Sequence, residues 1–454
     1  EASEGTTPAD EPDIAAVNPR DEPGELRDDH DEELRAEPGT DLGTDPEAEP
    51  GTGLGAGPGT TAPSVPYRTL IWLAVATFTT GIDGYVLAGL LPDIATDLDV
   101  TAALAGQLVS VFALTSAVAG PVLGATTSGW EQRRTILAAL STFVLGNLIT
   151  AVAPTYALAL GGRVLAALGG CLLAAAVTGY VVHLVAKRHR GRALSFVLGG
   201  WMTATALGVP VGLILGQSNW RLPLVLVSVV GTVALVGIGL RLPPLRYPSS
   251  SLLDRLRPLA RPHLVAGLLV STGVLCASYT CFTYAVLILQ PSHPAGWMII
   301  VIMCGYGLAS MLGNAVTGRL VDRFSPVRVL TVVLAGLLVD ALFGALALSL
   351  AVPSAVAVLS LVWFLLAGIG NGVHAVPQQA RLAAMAPASV AVVMALNASA
   401  ISLGSALGGG VGGLALATGL SPGRLPLIAA AVLALTLPLH LLVARWTRAA
   451  AARS

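Results

Sequence analysis

Two acids and one arginine stand out in the apolar body of this chain. Asp83 lies within TTGIDGYVLAGLLP (79–92), Arg163 within GGRVLAALGG (161–170) and Asp340 within LLVDALFG (337–344). A charge at the centre of a bilayer costs roughly 2.5–3.5 kcal/mol on insertion scales, so such residues are expected to pair or to work. A buried carboxylate next to an arginine can move a proton without metal or cofactor. Burial favours the neutral acid and a guanidinium favours the anion, so a change in their separation captures or releases a proton. Each proton carried inward gains about 2.3 kcal/mol per 100 mV of membrane potential. At about 1.5 Å per residue, Asp83 falls roughly 12 Å below the outer end of its apolar run and Arg163 roughly 10 Å below the outer start of its own. One shared depth is expected, which permits a pair. Asp83 has two other readings, a static pair that fixes helix packing and a direct substrate contact. Asp340, near mid-span, is either a second protonation site or makes a hydrogen bond to a neighbouring helix.

The elements that must position these residues follow from composition. Of 454 residues, 54% are hydrophobic and 11% charged, whereas about a quarter of an ordinary soluble domain is charged. The near-zero net charge hides a segregation. Eighteen of the 26 acids precede Gly51 with three arginines, leaving that tail at −15 and the remainder at +14. Residues 1–66, rich in Glu, Asp, Pro, Gly and Thr, bury too little apolar surface to fold and are expected to be a disordered acidic tail. No secretory signal is expected, because the first apolar run follows that tail and ends without a small-residue cleavage site. Cys171, Cys276, Cys281 and Cys304 sit in apolar runs with no zinc spacing and read as free thiols. His183 and His374 have no second ligand at metal spacing. Neither a metal nor a cofactor is expected.

Twelve apolar runs are long enough to cross a bilayer core, near 69–91, 104–127, 135–153, 156–182, 193–217, 222–240, 264–289, 296–318, 329–350, 354–378, 390–417 and 425–444. Loops on one side, with the tails, hold 19 basic residues, Arg381 among them, and the opposite loops only Arg221 and Arg424. Basic loops stay cytoplasmic, so both termini are expected inside. The longest internal connection, about 242–262, splits the chain into 67–241 and 263–446, with a short basic tail, 447–454. The halves echo each other. GATTSGWEQRR ends at Arg134 and GRLVDRFSPVR at Arg328; Gly208, Gly212 and Gly216 are matched by Gly404, Gly408 and Gly412; WRLPL (220–224) is matched by GRLPL (423–427). Six helices is an even number, so the duplicated unit is a parallel repeat.

With those residues in view, 67–446 resembles the major facilitator superfamily, in its twelve-helix drug:proton antiporter form. GLLPDIATDLDVTAALAGQLVSVFAL (89–114) is similar to the bacterial efflux branch that holds arabinose, purine-nucleoside and chloramphenicol exporters. The superfamily's loop motif is met by Gly318, Asp322, Arg323 and Arg328; in the first half Gly124, Arg133 and Arg134 remain, with Ser128 and Gly129 in place of the Asp-Arg pair. The resemblance implies a latch role for these loops, stronger in the second half. It implies a coupling role for Arg163, followed by Gly169 and Gly170, and an antiporter motif at Gly208, Pro210, Gly212 and Gly216. That branch usually carries a first-helix Glu where this chain has Gly84, so the acid stands one residue earlier, at Asp83.

The implied fold is an all-α membrane protein of two six-helix bundles. The implied function is alternating-access export of a small, fairly apolar molecule in exchange for protons, by a monomer in the cell membrane, with no nucleic-acid partner. Cavity candidates are Tyr85, Gln107, Phe112, Trp201, Tyr279, Tyr284, Asn371, Gln378 and Asn397. Few carboxylates among them argue against a strongly dicationic substrate. Two readings keep the fold but change the task, an importer and a sugar or nucleoside exporter. A membrane-embedded enzyme is disfavoured by short outer loops and by Asp93, Asp97 and Asp99, which cluster at a helix exit with no expected basic or metal partner.

Overall fold

The computed structural model describes residues 67–186, 189–246, 257–292, 296–350 and 352–451. The acidic tail, 1–66, lies outside the described residues, as do Lys187, Arg188, Arg255 and Arg453. Twelve of the described helices are long and apolar enough to cross a membrane. They are α1 (Tyr67–Asp97), α2 (Ala102–Thr126), α3 (Gln132–Val152), α4 (Tyr156–Leu184), α5 (Arg190–Gly216) and α6 (Leu222–Arg241), then α7 (Pro262–Phe282), α8 (Gly296–Arg323), α9 (Pro326–Leu348), α10 (Ser354–Met385), α11 (Val390–Ala417) and α12 (Pro422–Thr447). Among the described residues there is no strand.

Local chemistry sets the ends and the breaks. Thr101, Thr155 and Ser325 cap α2, α4 and α9, each hydroxyl accepting from a backbone N–H three residues on. The tight turn from α1 to α2 places Asp99 at φ 51°, a left-handed conformation that Asp tolerates. A 3₁₀ turn over Leu87–Leu90 precedes Pro92 in α1. A π-helical stretch, Ala204–Gly208, precedes Pro210 in α5, where the ring removes one backbone donor. The expected kink at Pro210 therefore takes the form of a widened turn.

The halves repeat one packing plan. α1 packs on α5 and α6, α2 on α4, and α3 on α4 and α6; α7 packs on α11 and α12, α8 on α10, and α9 on α10 and α12. The halves meet through α2 with α11 and α5 with α8, the two pairs that a parallel repeat exchanges. The described residues from Tyr67 onward form one compact unit.

Glycines set the closest approaches. In the first half Ile82, Val86 and Leu90 of α1 lie over Gly208, Gly212 and Gly216 of α5. In the second, Gly404, Gly408 and Gly412 of α11 lie against Thr272, Cys276 and Thr280 of α7. Both seams have four-residue spacing on both partners, the way a small-residue face lets helices come together. At the α3–α4 crossing Gly169 meets Phe143, Gly146 meets Ala166 and Gly162 meets Thr150. At the α9–α10 crossing Gly370 meets Leu337 and Gly344 meets Trp363. Phe143 and Leu337, and Thr150 and Gly344, are 194 positions apart. On the partner helices Gly169 and Gly370, and Gly162 and Trp363, are 201 positions apart. By these two offsets Asp340 on α9 occupies the place of Gly146 on α3, and Phe364 on α10 the place of Arg163 on α4.

Candidate coupling and substrate site

Asp83 and Arg163 meet inside the first bundle. Both are almost wholly buried, and Arg163 Nη1 donates to Asp83 Oδ1 at 2.7 Å. The same nitrogen reaches Asn147 Oδ1 of α3 at 3.3 Å, and Nε reaches the Leu108 carbonyl of α2 at 3.4 Å. The Phe112 ring lies 4.4 Å from the guanidinium carbon, a cation–π contact. One arginine from α4 thus ties together α1, α2 and α3. Asp83 Oδ2 has no hydrogen-bond partner among the described residues. Residues that bring Asp83 to this spot flank it on both sides, Gly81 against Ala204 and Ile82 over Gly208. Removing one partner of such a buried pair costs about 3–5 kcal/mol, because the other charge is left stranded.

Beside this pair an aromatic chain crosses from one half to the other. Tyr85 of α1 packs edge-on against Trp201 of α5 at 6.3 Å and against Phe282 of α7 at 5.6 Å. Phe282 continues to Tyr279 at 5.8 Å and to Tyr306 of α8 at 5.0 Å; Tyr306 meets Phe364 of α10 at 6.1 Å, and Phe364 meets Trp363 at 4.8 Å. A cavity of about 200 Å³ lies further along α1, α5 and α8, toward the end opposite the termini, with Asp93, Gln217, Gln290 and Met303 in its wall.

The other sequence candidates fall into groups. Tyr85, Trp201 and Tyr279 belong to the aromatic chain. Phe112 supports Arg163. Buried Tyr284 donates to the Gly409 carbonyl at 2.8 Å. Gln107 donates to Ala103 on its own helix and lies against Gly413. Gln378 donates to the Gly267 carbonyl and to Ser271, whose hydroxyl donates to Asn397, so Gln378 and Asn397 bind α7, α10 and α11 together. Asn371 accepts from Ser278 at 2.6 Å. His374 bonds its own helix at the Asn371 carbonyl, and His183 the Gly179 carbonyl. Gly124 is buried, Arg133 bonds the Gly239 carbonyl of α6, and Arg134 bridges to Glu131 at 3.1 Å. Asp322, Arg323 and Arg328 are exposed, and the Cβ direction of Gly318 is open.

Two expectations need correction, and a third residue, Asp340, gains a placement its type alone did not give. Arg381 is not a loop residue: α10 runs on to Met385 and turns this side chain inward, where Nη1 meets His440 Nδ1 of α12 at 2.6 Å. The acids at the α1 exit do have a basic partner, because the loop before α6 folds back so that Arg221 bonds Asp97 and the Ala153 carbonyl. Asp340 sits on α9 yet faces into its bundle, and its Oδ1 has no hydrogen-bond partner among the described residues. Sequence reasoning missed Asn147, Phe282, Tyr306 and Trp363. Asn147 was detectable as the one amide inside the third apolar run; the aromatic residues carry no signal until α7, α8 and α10 are set side by side.

Comparison with known proteins agrees with this architecture. Residues 73–339 match the family described as Major Facilitator Superfamily. A chloramphenicol resistance protein of Streptomyces lividans is 33% identical over 302 residues, covering 65% of this chain and 76% of that protein. The inner membrane transport protein YdhP of Escherichia coli (strain K12) is 27% identical over 83% of this chain and 96% of its own length. A bacterial homolog of the human lysosomal transporter Spinster, solved inward-facing and unoccupied, overlays with a TM-score of 0.67 at 17% identity over 84% of this chain and 98% of that one. The nucleoside transporter NupG gives 0.68 at 12% identity over 83% and 99%. YdhP is an inner membrane transport protein, and the chain, a multi-pass membrane protein, belongs to the major facilitator superfamily, a family of transporters rather than enzymes.

Proposed function

We propose that this transporter exports a small, fairly apolar molecule in exchange for protons, by alternating access between the halves 67–241 and 263–446. The observation that carries the reading is the buried Arg163–Asp83 contact at 2.7 Å. Protonating Asp83 removes the attraction that holds α1 to α4, and the arginine then keeps only Asn147, the Leu108 carbonyl and the Phe112 face. Asp83 and Tyr85 share α1, so a shift of that helix reaches the aromatic chain between the halves directly. A proton entering down its gradient supplies about 2.3 kcal/mol per 100 mV toward the return step. The seam of Gly208, Gly212 and Gly216 lets α1 and α5 move as one tight pair without a leak between them.

Direction and substrate class are supported by the chloramphenicol resistance relative and by the largely apolar, aromatic lining between the halves. In this reading the termini are cytoplasmic, Asp322, Arg323 and Arg328 latch one access state, and the protein works as a monomer. Inverted membrane vesicles energised with a proton gradient test it over a compound panel that includes chloramphenicol. The parent is expected to accumulate at least one neutral compound, and Asp83→Asn to lose gradient-driven accumulation. No movement of any compound under any gradient would overturn the exporter reading; full accumulation by Asp83→Asn would overturn the coupling role.

A further inference from the structure

Asp340 lines a second cavity, of about 40 Å³, enclosed by α7, α8, α9, α10 and α12. It is wholly within the second bundle. The register of the two halves explains why the cavity is there. At the α3–α4 crossing Gly146 lets the backbone of Ala166 close in. At the matching crossing the chain carries Asp340 opposite Ala367, and both line the space. Where the first half supplies Arg163 to its acid, the second supplies Phe364. The Asp340 side chain is more than nine-tenths buried, its Oδ1 has no partner among the described residues, and no basic residue lines the cavity. Instead Phe282, Tyr306, Trp363 and Phe364 do.

One carboxylate facing several aromatic rings matches the chemistry of an organic ammonium group, which ring faces and a single anion hold together. A metal cation is a poorer fit, because the polar groups beside Asp340 are few and Asn371 already accepts from Ser278. The space has room for a few waters or one headgroup, and is too small for a drug-sized molecule. Its wall is the way out: Phe282 and Tyr306 also belong to the aromatic chain that reaches Tyr85 of the first half. We infer that the Asp340 cavity is a cation subsite that takes the ammonium group of an amine, whose apolar remainder lies along the aromatic chain between the halves. The inference rests on the exporter reading only for the claim that such an amine is a transported substrate.

The test uses the full chain in lipid nanodiscs with two probes, 2-phenylethylamine and its uncharged isostere 2-phenylethanol, measured by calorimetry for the parent and Asp340→Asn. The parent is expected to bind the amine more tightly than the alcohol. Asp340→Asn is expected to weaken the amine at least about tenfold, the scale of a lost charged hydrogen bond, and to leave the alcohol unchanged, which also shows that the variant is folded. Binding is measured without a proton gradient, so a failure of proton coupling reads differently from a failure of this site. Equal amine affinity in the parent and Asp340→Asn would overturn the subsite, as would no amine binding by the parent. So would an equal fall for both probes, the mark of a residue that serves only the fold or carries only a proton.

Discussion

The α3–α4 crossing of the first half and the α9–α10 crossing of the second are built to one register, yet they treat charge in opposite ways. In the first, a glycine closes the crossing, and an arginine one turn away reaches an acid on α1. In the second, an acid stands where the glycine was and a phenylalanine where the arginine was, and the crossing opens into a small cavity. Duplication preserves how helices touch, because packing tolerates few alternatives. It does not preserve which buried charges are neutralised from within, so the two halves are free to take different tasks. In the proposed reading the first half holds and releases a proton, and the second receives a charge from outside.

Breaking the internal pair should produce the largest effect. Arg163→Leu leaves Asp83 stranded and should destabilise the purified protein by about 3–5 kcal/mol, while Phe364→Leu at the matching place should cost roughly 1 kcal/mol. Thermal melts of both variants, with gradient-driven transport beside them, check the contrast. Next come the glycine seams. A Cβ at Gly408 would meet the Cys276 carbonyl and lie 2.9 Å from the Thr280 nitrogen, whereas one at Gly212 would lie 2.5 Å from a Val86 methyl. Backbone yields less than a side chain, so Gly408→Ala should lose more stability than Gly212→Ala, within the roughly 1–3 kcal/mol of an overpacked core. Phe112→Leu removes the ring under Arg163 and should cost about 0.5–2 kcal/mol, with slower gradient-driven transport and no change in binding at Asp340. The smallest effect belongs to Arg221→Ala. Its pair with Asp97 is partly exposed, and its loss should shift stability by about 1 kcal/mol or less.

Much of this was legible before any coordinates. Twelve runs, the repeat and the glycine spacing are properties of composition and period, and lipid enforces them on every residue. The common depth of Asp83 and Arg163 followed from helix rise alone, because both lie a countable distance from the same ends. What distance along a helix does not report is rotation about its axis. That is why Arg381 was counted with the loops although it faces α12, and why Tyr284, Gln378 and Asn397, plausible cavity residues by type, turn out to bond one helix to another. The aromatic chain needed rotation and neighbour identity together. Asp340 was visible as a buried acid, but its lack of an internal cation emerges only when the two crossings are superposed.

Substrate-induced proton release tests the central claim most directly. The purified, membrane-embedded chain is held in weak buffer with a pH-sensitive dye while a neutral transported compound is added to the parent, Asp83→Asn and Asp340→Asn. The parent and Asp340→Asn should each release protons in proportion to the compound bound, and Asp83→Asn should release none. Release from Asp83→Asn equal to that of the parent would contradict the account.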